Sequence, residues 1–283
     1  MTFPNRLLTP LALVVFVCAA GCATGRLVVP ITFDASALAA SARVQDFTTH
    51  EATVRGIAGI LTTDLRLPVP EHVTVYVYSS RSVFEQGLIN DARISPVRAA
   101  QLSEFAVGVG KRGQLLLHRE TSDPRSREWL RLLAHELSHV SQIELAQGEG
   151  RAEQWLAEGM AEWVAFTVLE RLSMDTLARR RARAVAAARA HPAVTERRLD
   201  LTALGSPRGF TALHLRDGSE STYQLSFVMN DYLIARNGFD RLVGYFSAFA
   251  GGGERDGTFR KAFGQSREDF GREVLDHLSV AGR

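Results

Sequence analysis

The sequence predicts an α+β fold: a small mixed sheet in the N-terminal part, a mainly helical C-terminal part, and a cleft between them. Two observations carry that prediction. Runs rich in β-branched and aromatic residues, bounded by turn residues, fall between residues 72 and 118. After them, apolar residues recur three and four positions apart in one long segment after another, the period of helices packed on a core. The composition suits a globular domain: 283 residues, 46% apolar and 23% charged. A net charge of +2 gives no field that selects a polyanion, and nucleic acid is not an expected partner.

The N-terminus reads as an address. Arg6 precedes an apolar run from Leu7 to Ala20, and Ala19-Ala20-Gly21 leads directly into Cys22. That is the layout of a secretory signal peptide, residues 1–21. Small residues running into a cysteine resemble the bacterial lipoprotein lipobox. The resemblance implies cleavage before Cys22 and lipidation of its thiol; a signal peptide or anchor with Cys22 incidental is the other reading. The apolar run is short for a membrane span of about 20 residues. With Cys18 removed and Cys22 acylated, the domain has no disulfides, and core and metal must stabilise it. The expected organisation is signal peptide 1–21, tether 22–41 and one domain 42–283, with an α/β part to 120 and a helical part from 121. The expected location is the bacterial cell envelope, lipid-anchored and facing the periplasm or exterior.

The elements follow in order. Thr48-Thr49-His50-Glu51 caps a helix to about Leu65, striped by Val54, Ile57, Ala58 and Leu61 and ended by Pro68 and Pro70. His72–Tyr78 is a strand. Ser80 starts a helix to Asn90, and Ser95-Pro96 opens a short one through Leu102. Phe105–Val109 and Gln114–His118 form a hairpin around Gly110–Gly113. The loop Thr121–Pro124 leads into a helix to about Gln147, Gly148-Glu149-Gly150 breaks it, and Ala152–Leu172 is the next. A stretch with Arg171, Arg179, Arg180, Arg181, Arg183 and Arg189 reads as a helix with a solvated face or one touching anionic lipid, ended by His191-Pro192. Gly205–Gly209 and Arg216–Glu220 read as loops. Helices at Ser221–Asn237, Phe239–Ala250, Thr258–Phe263 and Ser266–Leu278 complete the chain.

The chemistry concentrates after Trp129. His135-Glu136-Leu137-Ser138-His139 sets two imidazoles one turn apart on one helical face, where they can share one metal ion. Glu136 stands beside them, placed to take a proton from a metal-bound water. A catalytic zinc typically takes three protein ligands and leaves a fourth position to water. Glu158, in Trp155-Leu156-Ala157-Glu158-Gly159, can be the third, with 18 residues between it and His139.

Together the two segments resemble the gluzincin metallopeptidases, which include thermolysin and the alanyl-aminopeptidase-like enzymes. The resemblance covers roughly Leu115 to His277 and is specific in the two metal segments. It implies a zincin-like fold with Zn2+ held by His135, His139 and Glu158, and with Glu136 as general base. It implies that Glu162, one turn after Glu158, orients His135; a solvent-facing glutamate is the alternative. It implies that Tyr223 stabilises the tetrahedral intermediate, against a core tyrosine, with His214 as a competitor for the role. One hairpin strand, Phe105–Val109 or Leu115–His118, then forms a cleft edge to which an extended peptide adds. The Gly-x-Met-Glu-Asn segment that grips a substrate N-terminus in the aminopeptidase branch has no counterpart here. The expected activity is therefore zinc-dependent cleavage of a peptide or exported protein as an endopeptidase, with hydrolysis of another amide such as a cell-wall peptide as a variant. The alternative is a binding or assembly lipoprotein on the same scaffold, with structural zinc or no activity; an intact Glu136 argues against it.

Overall fold

Strands β1 (Arg26–Thr32), β2 (His72–Tyr78), β3 (Gly108–Lys111) and β4 (Gln114–His118) form one sheet in the order β1-β2-β4-β3. β1 pairs antiparallel with β2, β2 runs parallel to β4, and β3 lies antiparallel to β4 at the far edge. The structure, a computed structural model, describes residues 25–44, 47–118, 123 and 125–280. The signal peptide, Cys22 and most of the Thr121–Pro124 loop lie outside these.

Strand alternation divides the sheet into two faces. Val73, Val75 and Val77 of β2, with Leu115 and Leu117 of β4, point into the main core. Helices α1 (Ala35–Val44), α2 (His50–Thr63) and α5 (Arg127–Ala146) pack on that side. Tyr78 and Leu116 point the other way, into a smaller cluster with Phe84, Leu88, Ala92 and Ala99. That cluster belongs to α3 (Arg81–Asn90) and α4 (Pro96–Ser103).

The helical part is built around α6 (Gln154–Arg171), which is buried on nearly every side, as a helix apolar all round must be. It packs between α5 and α11 (Ser219–Asn237). Gly159 makes the second contact possible: a Cβ there would meet Asn230 Nδ2 at 2.0 Å. α7 (Leu177–Ala190), α8 (Pro192–Thr195), α9 (Leu201–Gly205) and α10 (Pro207–Asp217) lie between α6 and α11 in sequence. α12 (Phe239–Ser247), a 3₁₀ turn at Ala248–Gly251, α13 (Arg255–Phe263) and α14 (Arg267–Val280) follow.

Three expectations are corrected. The tether assigned to 22–41 holds all of β1 and part of α1. Pro30 hides the strand, because proline interrupts a ladder; it is tolerated here because β1 is an edge. The first hairpin strand starts at Gly108, three residues later than expected, with Phe105 in the preceding turn. The two expected loops are helix ends. Ser206 Oγ caps α10 by accepting the Gly209 N–H at 3.0 Å, with Pro207 at its first position, and Gly218 alone separates α10 from α11. The arginine-rich stretch is helix α7, with Arg179, Arg181 and Arg183 exposed on its solvated face, and two of its arginines also brace the fold: Arg180 pairs with Asp175 at 2.7 Å and Arg181 with Asp231 at 2.5 Å.

Candidate metal centre

α5 begins at Ser126, whose hydroxyl accepts the Trp129 N–H at 3.2 Å, and runs twenty residues to Gln147 in the left-handed conformation. Its buried face is Trp129, Leu130, Leu133, Ala134, Leu137 and Val140. This leaves His135, Glu136 and His139 on the side that meets α6 and β3. α6 supplies Glu158 and Glu162, one turn apart.

Three donor atoms converge. His135 Nε2 lies 3.2 Å from His139 Nε2 and 3.3 Å from Glu158 Oε2, and His139 Nε2 lies 3.4 Å from the same oxygen. An ion with bonds of about 2.0–2.1 Å has tetrahedral donor–donor edges of about 3.3 Å, so the triangle matches one face of that tetrahedron. Glu158 Oε2 is buried without a hydrogen-bond donor, whereas Oε1 accepts from Gln154 Nε2 at 2.8 Å. His135, His139 and Glu158 could therefore hold a metal ion.

Each ligand is held from behind. Glu162 Oε1 faces His135 Nδ1 at 3.1 Å and Arg131 Nη1 at 2.5 Å. His139 Nδ1 bonds Gln142 Oε1 at 3.0 Å, and Gln142 Nε2 donates to Ala157 O at 2.9 Å. An amide oxygen only accepts, so the His139 proton sits on Nδ1 and Nε2 is free to ligate. Gln142, Gln154 and Arg131 join the site beyond the residues the sequence reading predicts. All three carry a local signal, because they stand three or four positions from His139, Glu158 and His135 on the same helices.

The charges favour a cation. Glu136, Glu158 and Glu162 are opposed by one guanidinium, Arg131. Burial works against the charged form of His135, but Glu158 and Glu162 overcome it and raise its pKa to about 10. Burial likewise opposes ionisation of Glu162, and Arg131 and His135 outweigh it, bringing the carboxyl to about 2. Burial also opposes the Glu158 anion, and His139 and His135 hold its pKa well below the ordinary value. Burial pushes Glu136 up, partly countered by the two imidazoles and the Gly110 backbone amide.

β3 closes over the site with two glycines. A Cβ on Gly108 would stand 2.7 Å from Glu136 Oε1, and one on Gly110 would stand 2.3 Å from Glu136 O. His118 N–H bonds Val107 O, so ladder alternation turns the backbone groups of Gly108 and Gly110 outward, toward the cleft. A cavity of about 350 Å³ runs along this edge past Gly108, Glu136, His139, Glu158 and Tyr223. A second hollow of about 420 Å³ shares His135, Glu136 and Tyr223 and continues past Arg131 and His214. The two adjoin where they share Gly108, His135, Glu136 and Tyr223, and the first also reaches His139 and Glu158.

Tyr223 enters from α11 with its ring 6.1 Å from the His135 ring. Burial, then the charge of Glu158, holds its hydroxyl in the protonated form. His214 is buried 5.6 Å from the Tyr223 ring and 4.5 Å from that of Phe105, ring centre to ring centre. The sequence-expected residues His135, Glu136, His139, Glu158, Glu162 and Tyr223 thus share one site, and Cys22 lies outside the described residues. No helix among the described residues is long and apolar enough to cross a membrane. Comparison with family models, curated proteins and solved structures finds no match, so the geometry of this chain alone carries its functional reading.

Proposed function

We propose that this chain is a zinc-dependent hydrolase of peptide bonds, of the gluzincin type and acting as an endopeptidase. The observation that carries the reading is the triangle of His135, His139 and Glu158 donor atoms with Glu136 beside it, all open to one groove. Two imidazoles and a carboxylate at this spacing suit zinc. Bound there, zinc supplies Lewis-acid polarisation of a carbonyl and makes water a better nucleophile at neutral pH.

The protein's own groups supply the rest. Glu136 takes a proton from the attacking water on its carboxylate and returns it to the leaving amine. The Gly110 amide steadies that carboxylate. The protonated Tyr223 hydroxyl offers a hydrogen bond to the oxygen that gains negative charge, and a neutral donor does so without a counter-charge to neutralise. The outward backbone groups of Gly108 and the outward carbonyl of Gly110 suit main-chain pairing with an extended substrate. A peptide or exported protein is the substrate class these features favour. Export and lipid anchoring through Cys22 belong to the same proposal and rest on the N-terminal sequence.

Metal analysis of wild type beside His139→Ala, with cleavage profiling of a peptide library by wild type and Glu136→Gln, tests the reading. Zinc at one equivalent, lost in His139→Ala, and cleavage lost in Glu136→Gln with zinc retained are expected. Zinc retained with no cleavage by wild type would transfer support to the binding or assembly alternative. Acyl labelling of wild type and Cys22→Ala tests the anchor.

A further inference from the structure

The groove contains a cation that the proposed chemistry does not use. Arg98, near the start of α4, is partly buried in the wall of the cavity that holds Glu136 and Glu158. Its Nη1 and Nη2 both reach a single acceptor, Thr211 Oγ1 on α10, each at 3.3 Å. That hydroxyl gives its own proton to Pro207 O at 2.8 Å, so it offers Arg98 only lone pairs at long range. Among the described residues no carboxylate lies within ion-pair distance of Arg98. Burial lowers its pKa.

The other cations of the groove are engaged. Arg131 holds Glu162, Arg180 holds Asp175, and Lys111 donates to Ala92 O beside Glu149. Arg151 is exposed and donates to Phe249 O at 2.7 Å. Arg98 alone among them combines partial burial with no acid partner and no backbone carbonyl. Desolvating a guanidinium without a partner is unfavourable, and groups kept in that state are characteristic of binding sites. Its planar fork matches a carboxylate with two parallel N–H donors, a geometry that one hydroxyl does not saturate. Leu102, Phe105 and Phe210 line the cavity around it and lower the local dielectric.

From this arrangement we infer that Arg98 receives a carboxylate of the bound peptide. The favoured substrates then carry an acidic side chain within the few residues beside the cleaved bond that a cavity of this size admits, or a free C-terminal carboxylate there, in which case the cleavage releases short C-terminal fragments in place of endopeptidase action. The inference rests on the hydrolase reading for its substrate and names that substrate's class.

The test uses the zinc-loaded full chain and a degenerate peptide library made once as free acids and once as C-terminal amides. A parallel set replaces each Asp and Glu near the cleaved bond by Asn and Gln. Wild type is expected to prefer the carboxylate form in one arm by about 10- to 100-fold in kcat/KM, and the responding arm identifies the C-terminus or a side chain as its source. Arg98→Gln is expected to collapse that ratio toward one, and Arg98→Lys to restore part of it. Indifference of wild type to charge in both arms overturns the inference. So does an Arg98→Gln variant that slows both forms equally, which is the mark of a structural role. Binding of the same peptides to Glu136→Gln, followed by calorimetry, separates the two proposals. If nothing is cleaved, a carboxylate preference in binding that Arg98→Gln abolishes upholds Arg98 while the hydrolase reading falls; no preference sinks Arg98 as well.

Discussion

Glu162 Oε1 stands 3.1 Å from His135 Nδ1, on the opposite edge of the imidazole from the Glu158 oxygen that Nε2 faces at 3.3 Å. The same carboxylate oxygen holds Arg131, so the imidazole is oriented by an anion that is itself fixed. Partners behind a ligating histidine typically contribute 10- to 100-fold in metal affinity. Glu162→Gln is accordingly expected to weaken zinc binding by about that factor, measured by competition with a chromogenic chelator. Unchanged affinity would return Glu162 to a purely structural place beside Arg131.

The second histidine has a neutral counterpart. Gln142→Leu removes the acceptor from His139 Nδ1 and the side-chain donor to Ala157 O. The expected result is about tenfold or greater loss of zinc affinity and a lower Tm for the metal-free protein. If the Tm falls while affinity stays at the wild-type value, Gln142 only ties α5 to α6.

Gly108→Ala probes the clearance over Glu136. The added Cβ would lie 2.7 Å from Glu136 Oε1 and 2.8 Å from its Cγ, so either the side chain or β3 must shift. Displacement of a reacting group by about 1 Å costs on the order of 100-fold in rate. The variant is expected to lose that much kcat on a peptide that wild type cleaves, with zinc content unchanged. Full activity would mean that β3 yields without moving Glu136.

A fourth expectation concerns pH, away from the candidate metal centre. His191 is buried, and its Nδ1 accepts the Ala193 N–H at 3.0 Å to cap α8. Protonation of Nδ1 would abolish that cap. Burial lowers the His191 pKa from 6.5; Asp217 at 3.9 Å pulls the other way and Arg216 adds to the lowering. The native state therefore binds fewer protons than the unfolded chain just below pH 6.5. Its contribution to stability is complete above about pH 6.5 and is lost as the pH falls through the lowered folded-state pKa. The Tm of wild type should drop from pH 7 to pH 5, and His191→Gln should flatten that slope. Parallel slopes would assign the acid sensitivity elsewhere.

The site was legible where its spacing is local. His135, Glu136 and His139 share one turn, and Glu158 and Glu162 another, so helical period alone predicts which faces they share. Tyr223 is far from them in sequence, and its place depended on a resemblance. The Arg98–Thr211 contact joins residues 113 apart in the chain and leaves no periodic trace. In the fold, the errors arise where a residue breaks one element and starts or tolerates another. Pro30 sits inside an edge strand, and Ser206-Pro207 opens a helix where a cluster of glycine and proline suggested a loop.

The position of β1 also fixes the length of the leash. Had residues 22–41 been an open tether, an acyl group on Cys22 would have left the domain free to range about 70 Å from the bilayer. β1 claims the chain from Arg26 onward and locks it against β2. Four residues remain, which extend to about 14 Å at most. On the proposed anchoring, the domain rides on the membrane surface, and any protein it acts on must come to that surface or already reside there.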